Sequence, residues 1–169
     1  QTWTKYRSID YGLDMTAVLW HAVAPNNDVY TYKELHESNL IISEAAKRIK
    51  EINGLDKIVV TYYPADLDAR QKVDGVTVYE TFKKNGIYLH PTSNKRIQGW
   101  LAVKEAIKLN DSRNIITGEE EKKPKLMVFS NCITLIKNIQ IVKGSENDPN
   151  DVANKPHELT HILDALRYY

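Results

Sequence analysis

Three aspartates occupy positions from which their carboxylates could act together. Asp10 ends a predicted first strand just before Gly12, Asp66 follows a predicted fourth strand, and Asp164 lies in the last predicted helix. If the first and fourth strands are neighbours, their carboxyl ends and this helix bring the three carboxylates together. Neighbouring carboxylates raise one another's pKa, so it costs free energy to keep all three ionised. A bound divalent cation such as Mg²⁺ or Mn²⁺ removes that cost. Two such ions roughly 3.5–4 Å apart can hydrolyse a phosphodiester.

The spacing alone leaves a second interpretation open. An aspartate at a strand end or in a turn is most often a local hydrogen-bonding residue. The same ambiguity holds for the last helix, where His161 lies one turn before Asp164 and shares a face with His157 and Tyr168. This face is either one wall of a cleft, with His161 ligating a metal or handling protons, or a solvated polar face. The apolar residues lie roughly opposite: Leu159, Ile162, Leu163 and Leu166.

The elements that must position these residues follow from hydrophobic periodicity and turn signals. Three strands, the last two joined as a hairpin, precede a helix that ends at Gly54, and strands and helices alternate after that. The predicted strands are 3–10, 17–24, 29–35, 57–63, 87–90 (ended by Pro91) and 126–129. The predicted helices have apolar positions within 41–52, 78–85, 97–107, 133–139 and 156–166. The pattern predicts an α/β domain with a mixed sheet flanked by helices.

Composition narrows the class of protein. The 169 residues suit a single domain, spanning 1–169, and a formal net charge of +1 excludes nucleic-acid binding by bulk positive charge alone. One cysteine excludes a disulfide framework, and there is no apolar run long enough to cross a membrane. The charge is unevenly distributed, because residues 83–104 hold five basic and no acidic residues, whereas 144–164 hold five acidic residues and one basic. A basic segment of this kind can follow a phosphate backbone while the acidic one holds cations.

Four segments of the sequence, in order, resemble one known family. They are SIDYG at 8–12, YPADL at 63–67 followed by DG at 74–75, NKRIQGW at 94–100, and DPNDV at 148–152 followed by HILDALRY at 161–168. Together they resemble the C-terminal nuclease domain of the large terminase subunit of tailed bacteriophages. The last segment is the most specific of the four. The matches run from Ser8 to Tyr168 and so cover nearly the whole chain.

The resemblance implies an RNase H-like fold, for which we expect a central five-stranded mixed sheet whose first three strands are antiparallel. Residues 110–125 are polar and lack apolar periodicity, so we expect an inserted loop or hairpin near 110–129. The resemblance also implies a metal-dependent endonuclease that cleaves concatemeric double-stranded viral DNA and leaves a 3′ hydroxyl and a 5′ phosphate. By this resemblance Asp10, Asp66 and Asp164 ligate two divalent cations, Mg²⁺ or Mn²⁺, and His161 lies near them as a fourth catalytic residue.

The resemblance leaves the fourth acidic residue of the site undecided. Family members often carry an acid just before the histidine, where this chain has Thr160. The fourth acidic contributor is therefore undecided among Asp14, Asp68, Asp151 and Glu158. Four basic residues are candidates for contact with DNA: Arg70, Lys72, Lys95 and Arg96.

The resemblance also implies partners and a location. The sequence starts at Gln1 and holds no Gly-x-x-x-x-Gly-Lys-Ser/Thr phosphate loop, so we expect an ATPase domain of the same subunit to precede it. The expected partners are double-stranded DNA, that ATPase domain, the small terminase subunit and the portal protein, in the host cell cytoplasm and away from membranes. The alternatives are another RNase H-like nuclease, such as a resolvase or ribonuclease, a non-catalytic docking domain of the packaging motor, and a fragment of a sugar-kinase-like fold.

Overall fold

The computed structural model describes residues 3–67, 72–73, 75–114, 116–153 and 156–169. Its first three strands are β1 (Thr4–Tyr11), β2 (Met15–Val23) and β3 (Val29–Ser38), and they pair antiparallel in chain order. Strand β4 (Ile58–Pro64) lies parallel to β1, as the aspartate hypothesis required. The carboxyl ends of β1 and β4 therefore meet at one edge of the sheet.

The remaining elements alternate along the chain. The short strands are β5 (Lys72–Val73), β6 (Val76–Thr77), β7 (His90–Thr92), β8 (Asn110–Arg113), β9 (Glu120–Lys123) and β10 (Leu126–Val128). The helices are α1 (Ile42–Asn53), α2 (Val78–Lys84), α3 (Arg96–Ile107), α4 (Ile133–Ile141) and α5 (Thr160–Arg167), and a 3₁₀ turn, His157–Leu159, leads into α5. In the described part of the chain no helix is long and apolar enough to span a membrane.

The main sheet has six strands in the order β10-β3-β2-β1-β4-β7, so the expected count of five was wrong. The strand predicted at 87–90 lies two to three residues later, as β7, and Pro91 does not end it. Pro91 pairs with Tyr63 inside β7. Proline has no N–H to donate, and this is tolerated because β7 is an edge strand with one side unpaired.

The sheet separates two apolar layers. In β2, Val18 and Trp20 pack on one side with α1 and α2, while Ala17 and Leu19 pack on the other with α4 and α5. This alternation follows from the two-residue period of a strand. In β1, Ile9 belongs to the first layer, so the side chain of Asp10 lies on the second face, the one that α5 covers.

Two further predictions concern the region between β7 and β10. The insertion expected near 110–129, which the sequence left open between a loop and a hairpin, is the hairpin β8–β9, whereas Leu126–Val128 belongs to the main sheet and lies parallel to β3. The predicted apolar face of α3 is wrong in part: Trp100 is buried, but Ile97, Leu101 and Ile107 are exposed. The helix packs instead through Trp100, with the partly buried side chains of Val103 and Ala106 on the same side.

Candidate active site

Asp10 and His161 are 151 residues apart in sequence and meet at the end of β1. The helix α5 lies against β1 and β2 and buries Ile162 and Leu163, which turns His161 toward the strand. The Nδ1 atom of His161 lies 2.7 Å from Oδ2 of Asp10, so the imidazole donates a hydrogen bond to the carboxylate. This contact joins two of the residues that the resemblance marked as functional.

The second nitrogen of His161 faces another carboxylate. Its Nε2 atom lies 3.3 Å from Oδ2 of Asp14, which is also 3.2 Å from Nδ1 of His157. Burial by itself would lower the pKa of His161, but the hydrogen bonds and charges of Asp10 and Asp14 outweigh it and raise that pKa. The pKa of Asp14 is lowered overall, because hydrogen bonds from its own backbone and from the two histidines exceed the effect of partial burial.

Gly12 makes this close arrangement possible. A Cβ at this position would lie 2.7 Å from Oδ1 of Asp14 and 3.4 Å from Cε1 of His161. The backbone N–H of Gly12 donates to the carbonyl of Met15, which closes the turn between β1 and β2. A side chain at position 12 would therefore push Asp14 away from His161.

Asp164 is held by two arginines. Its Oδ1 atom accepts a hydrogen bond from Nε of Arg167 at 2.6 Å and another from Nη1 of Arg96 at 3.1 Å. Arg96 also donates through Nε to both carboxylate oxygens of Asp151, at 2.8 and 3.0 Å. Both arginines donate to the same oxygen, so within the described residues Oδ2 of Asp164 remains available to another group.

The carboxylates repel one another at this site. Burial raises the pKa of Asp10, the hydrogen bond from His161 lowers it, and the nearby charge of Asp164 raises it again, with a net upward shift. A shift of this kind costs free energy whenever Asp10 is ionised. A bound cation would offset this cost.

Asp10, Asp14, His161 and Asp164 line one cavity of about 620 Å³. Asp66 is not among the residues that line it. It lies half-buried in the turn after β4, between Pro64 and Leu67, which do contribute to the cavity wall. The structure thus brings Asp10, His161 and Asp164 to one cavity, and Asp66 to its border.

The other predicted positions fall in different places. Lys95 is exposed at the start of α3, and Glu158 is exposed in the turn before α5. Arg96, predicted to contact DNA, is engaged by two acids, and Asp151, one of the possible fourth acids, does not line the cavity. Asp68 and Arg70 lie outside the described residues, and for Lys72 only the backbone is described.

Sequence reasoning gave too little weight to His157 and Arg167. His157 was assigned only to the polar face of the last helix, and Arg167 had no assigned role. The i, i+3 spacing of Asp164 and Arg167 in α5 was the available signal, since residues three apart on a helix are neighbours.

The donor set fits a divalent cation. Oxygen ligands from Asp10, Asp14 and Asp164 suit Mg²⁺ or Mn²⁺, and imidazole nitrogen is a better ligand for Mn²⁺ and later transition metals than for Mg²⁺. Potential ligand atoms of Asp14, His157 and His161 all lie within 4.8 Å of one another. The cavity can therefore hold a metal ion between carboxylate and imidazole groups.

The chain was compared with known proteins. No protein-family model matches the sequence, and no curated protein matches it. Among solved structures, the nuclease domain of the g2p large terminase of bacteriophage SPP1, with bound Mn, superimposes with a TM-score of 0.67 at 13% identity, covering 98% of this chain and 84% of that one.

Two other solved structures are less similar. The large terminase of bacteriophage HK97 gives a TM-score of 0.47 at 9% identity, covering 74% of this chain and 36% of that one. The large terminase nuclease of thermophilic phage G20c, with bound magnesium, gives 0.40 at 13% identity, covering 73% and 72%.

Fold and site together define a mixed α/β domain with a cleft lined by acids and histidines. More particularly, the SPP1 match shows that its fold is that of a large terminase nuclease domain, as the sequence resemblance implied.

Proposed function

We propose that this chain is a metal-dependent endonuclease that cleaves double-stranded viral DNA during genome packaging. The observation that carries the proposal is the convergence of Asp10, His161 and Asp164 on one cavity, in a fold shared with a phage terminase nuclease domain that binds Mn. The cavity lies at the carboxyl end of β1, where ligands of α/β sheets commonly bind.

Asp10 and Asp164 would hold the cations, with Asp66 as the third acid and Asp14 as the fourth. Each of the first two has one carboxylate oxygen fixed by a neighbour: Oδ2 of Asp10 by His161, and Oδ1 of Asp164 by Arg167 and Arg96. Such outer contacts orient ligand groups before a metal arrives. Two bound cations supply a nucleophilic water at neutral pH and stabilise the leaving oxygen of the phosphodiester.

His161 has a separate role in this proposal. It lies between Asp10 and Asp14 with one ring nitrogen toward each, so it can hold a proton at Nε2 or release that nitrogen to act as a ligand. The balance between these states would depend on the charge bound in the cavity.

Contact with DNA would begin at the rim. Lys95 is exposed next to the cavity wall formed by Asn94 and Arg96, and its charge can reach a phosphate. The proposed partners are double-stranded DNA, the ATPase domain of the same subunit, the small terminase subunit and the portal protein. The proposed place of action is the host cytoplasm.

The proposal is tested by plasmid cleavage with Mn²⁺ or Mg²⁺. We expect Asp10→Ala, Asp66→Ala and Asp164→Ala each to abolish cutting. Asp111→Ala is the matched control, because its side chain is 92% exposed on the hairpin, and it should cut normally. Retained cutting in all three active-site variants would contradict the proposal.

Comparing three substrates separates this function from related ones. The proposal predicts that duplex DNA is cut in preference to an RNA–DNA hybrid and a four-way junction. A preference for the hybrid or the junction would instead indicate a ribonuclease or a resolvase.

A further inference from the structure

Arg7 is a buried arginine without an acidic partner among the described residues. It lies in β1 on the face opposite Asp10 and is only 5% exposed. Its Nη2 donates to Oγ1 of Thr61 at 2.9 Å and its Nη1 to Oδ1 of Asn53 at 3.3 Å, whereas its buried Nε has no acceptor in the described part of the chain. A buried guanidinium without a counter-charge is costly, and burial lowers the pKa of Arg7 to about 10.

Arg7 and Lys50 line the same pocket, which has a volume of about 410 Å³. Lys50 is exposed in the last turn of α1 and makes no ion pair with any residue that the structure describes. Its Nζ lies 3.2 Å from the point where a Cβ at position 86 would be, so Gly86 leaves the room that the ammonium group occupies. The pocket shares no residue with the cavity of Asp10 and His161.

The polar side chains around this pocket can donate hydrogen bonds to an incoming group but offer it few acceptors. Oγ1 of Thr61 accepts from Arg7, so its hydroxyl hydrogen is left to donate. Asn53 adds no free acceptor, because its Oδ1 already accepts from Trp20 and Arg7, while its Nδ2 donates one of its two N–H groups to the carbonyl of Asp56. The C-terminal end of α1 adds about half a negative charge, which does not cancel two full positive ones.

We propose that this pocket binds a phosphate group, either as inorganic phosphate or as part of a nucleotide. A guanidinium from β1, a hydroxyl from β4 and an ammonium from α1 line one space, and a tetrahedral oxyanion accepts hydrogen bonds from several directions at once. The ring of Tyr88, also in the pocket wall and 68% exposed, offers a face on which a base can stack.

The test measures binding of inorganic phosphate by calorimetry and by melting temperature, against chloride at equal ionic strength. We expect phosphate to raise the melting temperature of the unmodified chain and of Lys47→Ala, an exposed-lysine control on the same helix. Lys50→Ala should weaken phosphate binding about tenfold, because one charge-assisted contact is lost. Arg7→Lys, which keeps the charge but loses the planar fork, should weaken it further.

If Arg7→Lys does not fold, Lys50→Ala alone decides the test, because Lys50 is exposed and its removal should leave the fold intact. Equal phosphate binding in the unmodified chain and Lys50→Ala would overturn the proposal, because any binding would then lie elsewhere, for example at the arginines of the cleft. Titration with adenosine monophosphate distinguishes a nucleotide from inorganic phosphate as the natural ligand. Tighter binding of adenosine monophosphate than of phosphate supports a nucleotide, and equal binding supports recognition of the phosphate group alone. Stabilisation by glutamate but not by phosphate would overturn the proposal in favour of a carboxylate.

Discussion

Nη1 of Arg96 lies 3.1 Å from Oδ1 of Asp164, and the same guanidinium is bonded on its other side to Asp151. Arg96 therefore links a candidate metal ligand in α5 to the loop before it. The two acids share this guanidinium, Asp151 through Nε and Asp164 through Nη1. The strength of the contact at Asp164 thus depends on a residue outside the cavity.

Asp151→Asn should weaken Mn²⁺ binding by roughly two- to fivefold. Without the charge of Asp151, Arg96 interacts more strongly with Asp164 and competes with a cation, and an ion pair of this kind is worth up to about 1 kcal/mol. Calorimetric titration with Mn²⁺ measures the change. Glu146→Gln, an exposed acid in the same loop, is the control for general loss of negative charge. Equal weakening in both variants would contradict the link through Arg96.

Gly12→Ala should impair the site more than it impairs the fold. The added Cβ would lie 2.7 Å from Oδ1 of Asp14, so that exposed side chain must move away from His161, whereas the carbonyl of Met15 at 3.3 Å need give only slightly. We expect slower plasmid cutting and weaker Mn²⁺ binding, with a melting temperature lowered by a few degrees. Gly144→Ala is the control, because a Cβ there meets only ordinary contact at 4.0 Å. Normal cutting by Gly12→Ala would show that Asp14 is dispensable.

Mn²⁺ should raise the melting temperature of the unmodified chain, and a chelator should reverse the effect. A ligand at one hundred times its Kd stabilises the folded state by about 2.7 kcal/mol. Asp10→Ala should lose the response, whereas Asp111→Ala should keep it. A response that is identical in all three chains would place the ions outside the cavity, and its complete absence would favour the docking-domain alternative.

His21 should make the fold sensitive to acid. It is fully buried between the hydroxyls of Ser8 and Thr31, at 2.9 and 3.0 Å, and burial lowers its pKa from 6.5 to about 3. As the pH falls below about 6.5, the unfolded chain takes up a proton at His21 that the folded chain excludes until about pH 3. The folded state should therefore lose about 2 kcal/mol through this group between pH 7 and pH 5.

Denaturant unfolding at pH 7 and pH 5 measures this loss. His21→Asn should be less stable at pH 7 but should show a smaller loss on acidification, since asparagine does not titrate. His90→Gln, at an exposed histidine, should keep the full pH dependence. The same loss in His21→Asn as in the unmodified chain would assign the acid sensitivity to other groups.

Several elements were predictable because their signals are local. The turn residues before β2 and β3, the positive φ of 57° at Gly54 and the presence of a polar insertion at 110–123 all follow from short stretches of chain. The end of β7 was not predictable from Pro91, because the effect of a proline depends on whether its strand lies at an edge, which is a property of the assembled sheet. The exposure of Leu101 on α3 was missed for a similar reason, since helical periodicity does not tell how much of a face a neighbour covers.

By itself, the sequence determined the order of the main strands and helices and indicated Asp10, Asp66, Asp164 and His161 as candidate functional residues. Only the tertiary structure decided which groups share the cavity, because the contacts of Asp10 with His161 and of Arg96 with Asp164 span 151 and 68 residues. It also decided that Arg7 is buried beside Lys50 and that Arg96 is engaged by acids. The residue types along a chain tell which side chains can ionise, but their burial and their neighbours determine the pKa of each group and the contacts that it makes.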